Sequence, residues 1–353
     1  MPPGSERSQR LLCVRRHLVS RGFGDGSALW QLLAQFVCGY RDIDLRDATG
    51  LGHGRLIACH ARPSTRRRWV PRLLIGELAG IAITEPHGGS RVIETRTSAV
   101  LSADGYLLVS GRKCWISRLN EAAVFVVFFR DPDGRLAAAP VDAEDLGLRR
   151  TELPPSGLAG WSWGVLDLDG VRVHPDDILV GDGMLLLRNH FATYRPWVAA
   201  TALGGAAAVF DSVTTILATR NIDRIRDNAL ITIGRTHAQL ATALLGCAVA
   251  EHLASAGDCS AEIWGAATKA HGVDIAHQAT VELALLAGAA GFRADSQIAK
   301  TRRDLAGLLF ADGIHDSLYR SAGKHYTNAS LIELAAPKEL PDVETPGRIS
   351  AAG

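Results

Sequence analysis

Between residues 79 and 180 the sequence stops repeating like a helix and repeats like a strand, and helical spacing returns on both sides. The β-branched and apolar runs Gly80–Thr84, Tyr106–Val109, Val124–Phe129 and Val165–Leu168 are separated by turn signals, among them Asp104-Gly105, Asp133-Gly134 and Asp169-Gly170. That dipeptide supplies the positive φ of a tight hairpin, so residues 79–182 are predicted to form an antiparallel sheet or small barrel. Before it, Leu29, Leu32, Leu33 and Phe36 keep helical spacing between glycine-rich breaks at 22–26 and 50–54, so residues 1–78 are predicted to be a helical region. After it, helices are predicted at Leu185–Arg220, Asn228–Ser255, Ala261–Ala290 and Ile298–Phe310, their Ala- and Leu-rich cores packing as a bundle over residues 183–332. Residues 333–353, with Pro337, Pro341 and Pro346, carry no periodicity and are expected to be a loose tail. The fold class expected is α+β: an N-terminal helical region, a central antiparallel β-domain and a C-terminal four-helix bundle.

Composition removes several function classes. The 353 residues carry a net charge of +1, which offers no footprint for nucleic acid or an anionic membrane; the run Arg66-Arg67-Arg68 is a local solvated face. The six cysteines have no metal-ligand spacing, and His271 and His277 do not share a helical face well, so no metal site is expected. Free thiols and an N-terminus without an apolar leader segment point to a cytoplasmic protein. No run approaches eighteen uninterrupted apolar residues, so no membrane association is expected.

The chemistry is concentrated at the helix-to-sheet transition, in Gly76-Glu77-Leu78-Ala79-Gly80-Ile81-Ala82-Ile83-Thr84-Glu85-Pro86-His87-Gly88-Gly89-Ser90. A strand end with backbone donors and a hydroxyl can hydrogen-bond the edge of a planar ring, and a Gly-Gly-Ser turn lets amides approach a phosphate. A second segment follows, Ser110-Gly111-Arg112-Lys113-Cys114-Trp115-Ile116-Ser117. Together these resemble the two signatures of the acyl-CoA dehydrogenase family, GE-x-x-G-x-x-x-TEP-x-x-GSD and NG-x-K-x-WIT, with Arg91 where the first closes on Asp. The resemblance continues through Val165–Gly181 and Tyr194–Gly204, and covers about residues 51–316.

It implies FAD bound by Ile83, Thr84, Gly89, Ser90, Trp115, Ile116 and Ser117, with the Trp115 indole against the flavin. It also implies an acyl thioester, on CoA or on an acyl carrier protein, bound near Tyr194, Arg195 and Gly313. For Arg195 a surface position is the other reading. Arg220 matches the arginine of a motif that serves FAD across a dimer interface, although the Phe-Gly that should follow is missing. The polar residue of the adenosine-side turn is likewise absent from Leu285–Phe292.

The family's usual base is the Glu of Tyr-Glu-Gly-Thr; counting from Arg303-Asp304 puts Ala311-Asp312-Gly313-Ile314 there, which makes Asp312 the candidate base on an arm one methylene shorter. Its other reading is a helix-terminal aspartate beside a capping glycine. The alternative place for a base in the family, before the arginine of the first bundle helix, holds Tyr194.

About eighty residues precede the Thr-Glu-Pro motif, so the family's opening helices are expected to be shortened. The implied activity is α-proton abstraction with β-hydride transfer to flavin, an electron acceptor that is a flavoprotein or oxygen, and a homodimer or homotetramer. The rivals are oxidase or monooxygenase chemistry on the same fold, and a non-catalytic FAD-free subunit.

Overall fold

The computed structural model describes residues 5–88, 91–219 and 227–333. The first of these stretches is helical until the sheet begins: α1 (Ser5–Ser20), α2 (Ala28–Arg41), α3 (Arg55–His60) and α4 (Pro63–Leu74). Leu32 on α2 is fully buried, as its spacing predicts, and Ser27 caps the helix by accepting from the Trp30 amide.

Seven strands follow: β1 (Leu78–Ala82), β2 (Ser98–Leu101), β3 (Leu107–Ser117), β4 (Ala122–Arg130), β5 (Leu136–Asp142), β6 (Leu148–Glu152) and β7 (Trp163–Val173). They form one sheet in the order β1-β4-β2-β3-β7-β6, with β5 on the other edge of β4. The expectation of an antiparallel sheet needs correcting, because the sheet is mixed: β1 runs parallel to β4, Gly80 facing Phe125, and β2 meets the end of β4 in parallel at Ser98 and Arg130. A parallel pair at the heart of a sheet calls for burial on both faces, and β4 supplies it. Phe125, Val127 and Phe129 face one core while Val124, Val126 and Phe128 face another, all fully buried.

Two of the three Asp-Gly pairs turn the chain between neighbouring strands, at Asp104-Gly105 and Asp133-Gly134. The third does not. Asp169-Gly170 lies inside β7, where Gly170 has φ +61 and the ladder jumps from Leu168–Gly111 to Val171–Val109. It is a β-bulge, two residues opposite Ser110, whose hydroxyl accepts from the Gly170 amide at 3.0 Å.

The remaining chain is helical: α5 (Gly183–Ala218), α6 (Asp227–Ser255), α7 (Ala261–Ala287), the short α8 (Ala289–Phe292), α9 (Gln297–Leu308) and α10 (His315–Glu333). The last, α10, is a fifth substantial helix where four were expected. α5 is long and apolar enough to cross a membrane by length and composition, but 56% of its most apolar window is buried within the protein, against α2, α6 and α7. Gly204 makes that packing close: a Cβ there would come within 2.0 Å of the Phe36 carbonyl oxygen of α2.

A candidate active site between sheet and bundle

A cavity of about 1040 Å³ opens between the ends of β1 and β3, the start of α5, and the loop joining α9 to α10. Its sheet wall is built from the two sequence motifs. Ile83, Thr84 and Gly88 line it from the end of β1, and Trp115, Ile116 and Ser117 from β3. Gly89 and Ser90 lie outside the described residues, as does Arg220.

The exposure of the Trp115 ring has a local cause. β3 carries an extra residue at Cys114-Trp115, opposite the step from Leu166 to Gly164, and Trp115 takes φ +57. A bulky side chain pays about 1–2 kcal/mol for that left-handed backbone, and the result is an indole that remains 58% exposed on the cavity wall. The Cys114 amide donates to the Thr84 carbonyl at 2.8 Å, so the bulge is fastened to the end of β1. Gly111 permits the approach of the neighbouring segment: a Cβ at its φ of +155 would sit 2.5 Å from the Thr97 hydroxyl oxygen.

Glu85 and Lys113, one from each motif, form a second fastening to which the sequence assigns no role. Glu85 accepts from Lys113 Nζ (2.8 Å), the Thr97 hydroxyl (2.7 Å) and the amides of Thr97 (3.0 Å) and Arg96 (2.8 Å). Burial would raise the Glu85 carboxyl, but these donors win and hold it at about 2. Lys113 and Glu85 are both buried, so the pair locks the flanks of the sheet wall together. The signal that could have found it is Lys113, which alternates along β3 in step with the apolar Leu107 and Val109.

The opposite wall is helical. Asp312 lies between α9 and α10 with φ +58, and among the described residues none hydrogen-bonds to its carboxylate. Its backbone is held by two cations: Arg195 Nε donates to the Asp312 carbonyl at 3.2 Å, and Lys269 Nζ donates to the carbonyls of Leu308 (2.9 Å) and Gly313 (2.8 Å). Lys269 is fully buried on α7, and burial pulls its ammonium down to about 7. Arg195 lines the cavity with its guanidinium over the Phe191 ring, 4.8 Å from the centroid, and Gly313 lines it too. Thus Arg195 is not a surface residue.

Tyr194 is the exception among the expected substrate contacts. It does not line the large cavity; it is buried behind it, donating to Asp47 Oδ1 at 3.0 Å and lying 4.4 Å from the His53 ring. Its position on α5, one residue from Arg195, turns it to a different face of the helix. The same buried layer holds Arg118, which donates to Ser117 Oγ at 2.7 Å and to Asp47, and Arg46. No periodicity or motif singles out these residues.

The described residues contain one grouping with metal-ligand proximity, Asp42, Asp44 and Asp304. It is filled by lysine: Lys300 Nζ lies 2.6, 2.9 and 2.5 Å from the three carboxylates, and Arg7 joins it.

Comparison with known proteins starts from the sheet wall. The family model for the acyl-CoA dehydrogenase middle domain matches residues 80–171, which takes in the first motif from Gly80 onward, the second motif and most of β7. That match and the curated relatives support membership of the acyl-CoA dehydrogenase family. Rat very long-chain specific acyl-CoA dehydrogenase is 26% identical over 323 residues, covering 84% of this chain and 48% of the rat protein. The chain therefore spans about half the length of the curated relatives it matches first.

Two solved structures extend the likeness in fold over nearly the whole chain. A glutaryl-CoA dehydrogenase from Mycobacterium smegmatis in complex with FADH2 superposes with a TM-score of 0.79 at 19% identity, over 91% of this chain and 94% of that one. The prolyl acyl carrier protein oxidase AnaB gives 0.82 at 15% identity, over 92% and 99%. The architecture is that of the acyl-CoA dehydrogenases, with helical regions before and after a central mixed sheet.

Proposed function

We propose that this chain is an FAD-dependent oxidoreductase that removes an α-proton and a β-hydride from an acyl thioester, with Asp312 as the base. The observation that carries the proposal is that Thr84, Trp115 and Ser117 face the same cavity as Asp312, so a ring against the first three leaves an acyl group between them and the carboxylate.

The residues fit the flavin end of FAD. An exposed indole in a strained bulge offers a flat apolar surface, while the Thr84 and Ser117 hydroxyls border it. Bound there, FAD supplies the acceptor for a hydride leaving the β-carbon. The protein's own part is positional and electrostatic. Arg118 holds the Ser117 oxygen, Lys113 and Glu85 hold the strand ends, and Arg195 and Lys269 hold the backbone of the loop from which Asp312 meets the α-carbon. A cavity of about 1040 Å³ takes a ring system and a thioester together.

The likeness to the prolyl acyl carrier protein oxidase favours a carrier-protein thioester beside a CoA ester as substrate, and release of peroxide distinguishes oxygen from a flavoprotein as the electron acceptor. The exposed side chains Leu230, Ile231, Leu245 and Val249 on α6 support a homo-oligomer formed through the bundle.

Anaerobic mixing of FAD-loaded protein with a series of acyl-CoA and acyl-carrier thioesters, followed by flavin absorbance, tests the reading. Asp312→Asn is expected to retain flavin and slow bleaching by roughly 10²–10⁴-fold; unchanged bleaching removes Asp312 from the mechanism.

A further inference from the structure

Behind the cavity two guanidinium groups share one carboxylate. Asp47 accepts from Arg118 on Oδ2 and from the Tyr194 hydroxyl on Oδ1, and Arg46 Nε reaches Oδ2 only at 3.4 Å. Arg46 is buried, yet its Nη1 has no partner, and its guanidinium carbon lies 5.4 Å above the Trp163 ring. Arg46 and Trp163 both line the large cavity. An arginine cannot discharge itself by losing a proton, so a buried one that shares its nearest carboxylate with a second arginine and keeps an unused Nη1 can receive a further negative charge.

Among the described residues, no other group on the cavity wall is free to supply that charge. Glu85 is engaged by Lys113 and the amides around it, and Glu262 pairs with Arg188 at 2.9 Å. His53, beside Arg46 on the wall, is held to about 3, by burial first and by Arg46 second, so it stays neutral. Asp312 is the remaining acid, and its charge is already shared among Arg118, Arg195 and Lys269.

We infer that Arg46 receives a carboxylate carried by the acyl group itself, which makes the substrate the monothioester of a dicarboxylic acid. The inference rests on the thioester reading above and narrows it. A guanidinium with an unused Nη1 donor suits a carboxylate, and the Trp163 ring beneath it limits where that guanidinium can move.

The test compares CoA thioesters of monocarboxylic acids with monothioesters of the α,ω-dicarboxylic acids of the same chain length, across a length series, on FAD-loaded protein. Dissociation constants are read from quenching of tryptophan fluorescence, Trp115 and Trp163 both lining the site, and from perturbation of the flavin spectrum. At the best length the dicarboxylic form is expected to bind roughly tenfold tighter or more. Arg46→Met should abolish the preference and keep binding of the neutral thioester within about threefold, with Arg46→Lys retaining part of it.

In unmodified protein, the methyl ester of the free carboxylate should bind like the monocarboxylic form; this arm needs no variant to fold. Equal binding of charged and neutral thioesters, or a preference that survives Arg46→Met, overturns the inference. If neutral thioesters bind and bleach flavin without any preference, the enzymatic reading stands and only this inference falls. If no thioester of either kind binds, both fall.

Discussion

The two walls of the cavity are put together in different ways. The sheet wall comes from two short segments, 83–88 and 114–117, whose geometry is set locally by a strand end and a bulge and fastened by Glu85 and Lys113. The helical wall is assembled at long range: the loop carrying Asp312 is held by Arg195 from α5 and Lys269 from α7. One wall is a motif, while the other is a meeting of helices. The chemistry of their charges differs in the same way. The sheet buries a carboxylate that its donors keep ionised, and the bundle buries Glu251, whose carboxyl is pushed up to about 7 chiefly by burial and whose Oε2 has no partner.

Substitutions can break that contrast, beginning with the largest expected effect. Glu85→Gln leaves Lys113 buried without its counter-charge and should cost about 3–5 kcal/mol in denaturant unfolding, with loss of flavin retention. A cost below about 1 kcal/mol would show that the sheet wall does not depend on the pair. Because the Glu85 pKa is depressed in the folded protein, its contribution is complete above the ordinary glutamate value of 4.5 and disappears as pH falls from there towards 2. Acid unfolding of the unmodified protein should therefore be steeper across that window than that of Glu85→Gln.

Lys269→Met acts on the other wall, and there turnover is expected to fall by roughly 10–100-fold with flavin affinity unchanged, because only the loop carrying Asp312 is released. Loss of flavin in that variant would mean that the walls are not independent. Glu251→Gln should leave thermal stability unchanged near pH 5 and raise the midpoint by about 2–4 °C at pH 8.5. The sign follows from its raised folded pKa: the neutral form is the stable one, and stability is lost as pH rises from the ordinary 4.5 to about 7. Acid thus loosens the sheet, and a rise to neutral pH loosens the bundle. The smallest effect is expected from Gly170→Ala, about 1 kcal/mol for the left-handed backbone alone, because a Cβ there meets no atom within 4 Å.

The same contrast explains what could be read from the sequence. Periodicity marks β1, β3, β4, β7 and the long helices, because each keeps one repeat over many residues. β2 and β6, short and with exposed positions, leave little pattern, and β5 is masked by its run of alanines. The parallel pairing of β1 with β4 is a long-range choice that no local dipeptide encodes, and Asp169-Gly170 shows that the chemistry of a turn also serves a bulge.

Within the site, Ile83, Thr84, Trp115, Ile116, Ser117, Arg195, Asp312 and Gly313 are found on the cavity where motif spacing suggests. Tyr194 is not, since one residue along a helix is a turn of about 100° away from the cavity. Arg46, Asp47, Arg118 and Lys269 carry no signal in the sequence, because what distinguishes them is burial among elements distant along the chain.

Catalysis by this chain requires first that the sheet wall accept a flavin. Titration of purified protein with FAD, followed by visible absorbance after removal of unbound cofactor, tests this directly. The prediction is one flavin per chain, with retention lost in Glu85→Gln and kept in Lys269→Met; a protein that stays colourless with FAD in excess would contradict it.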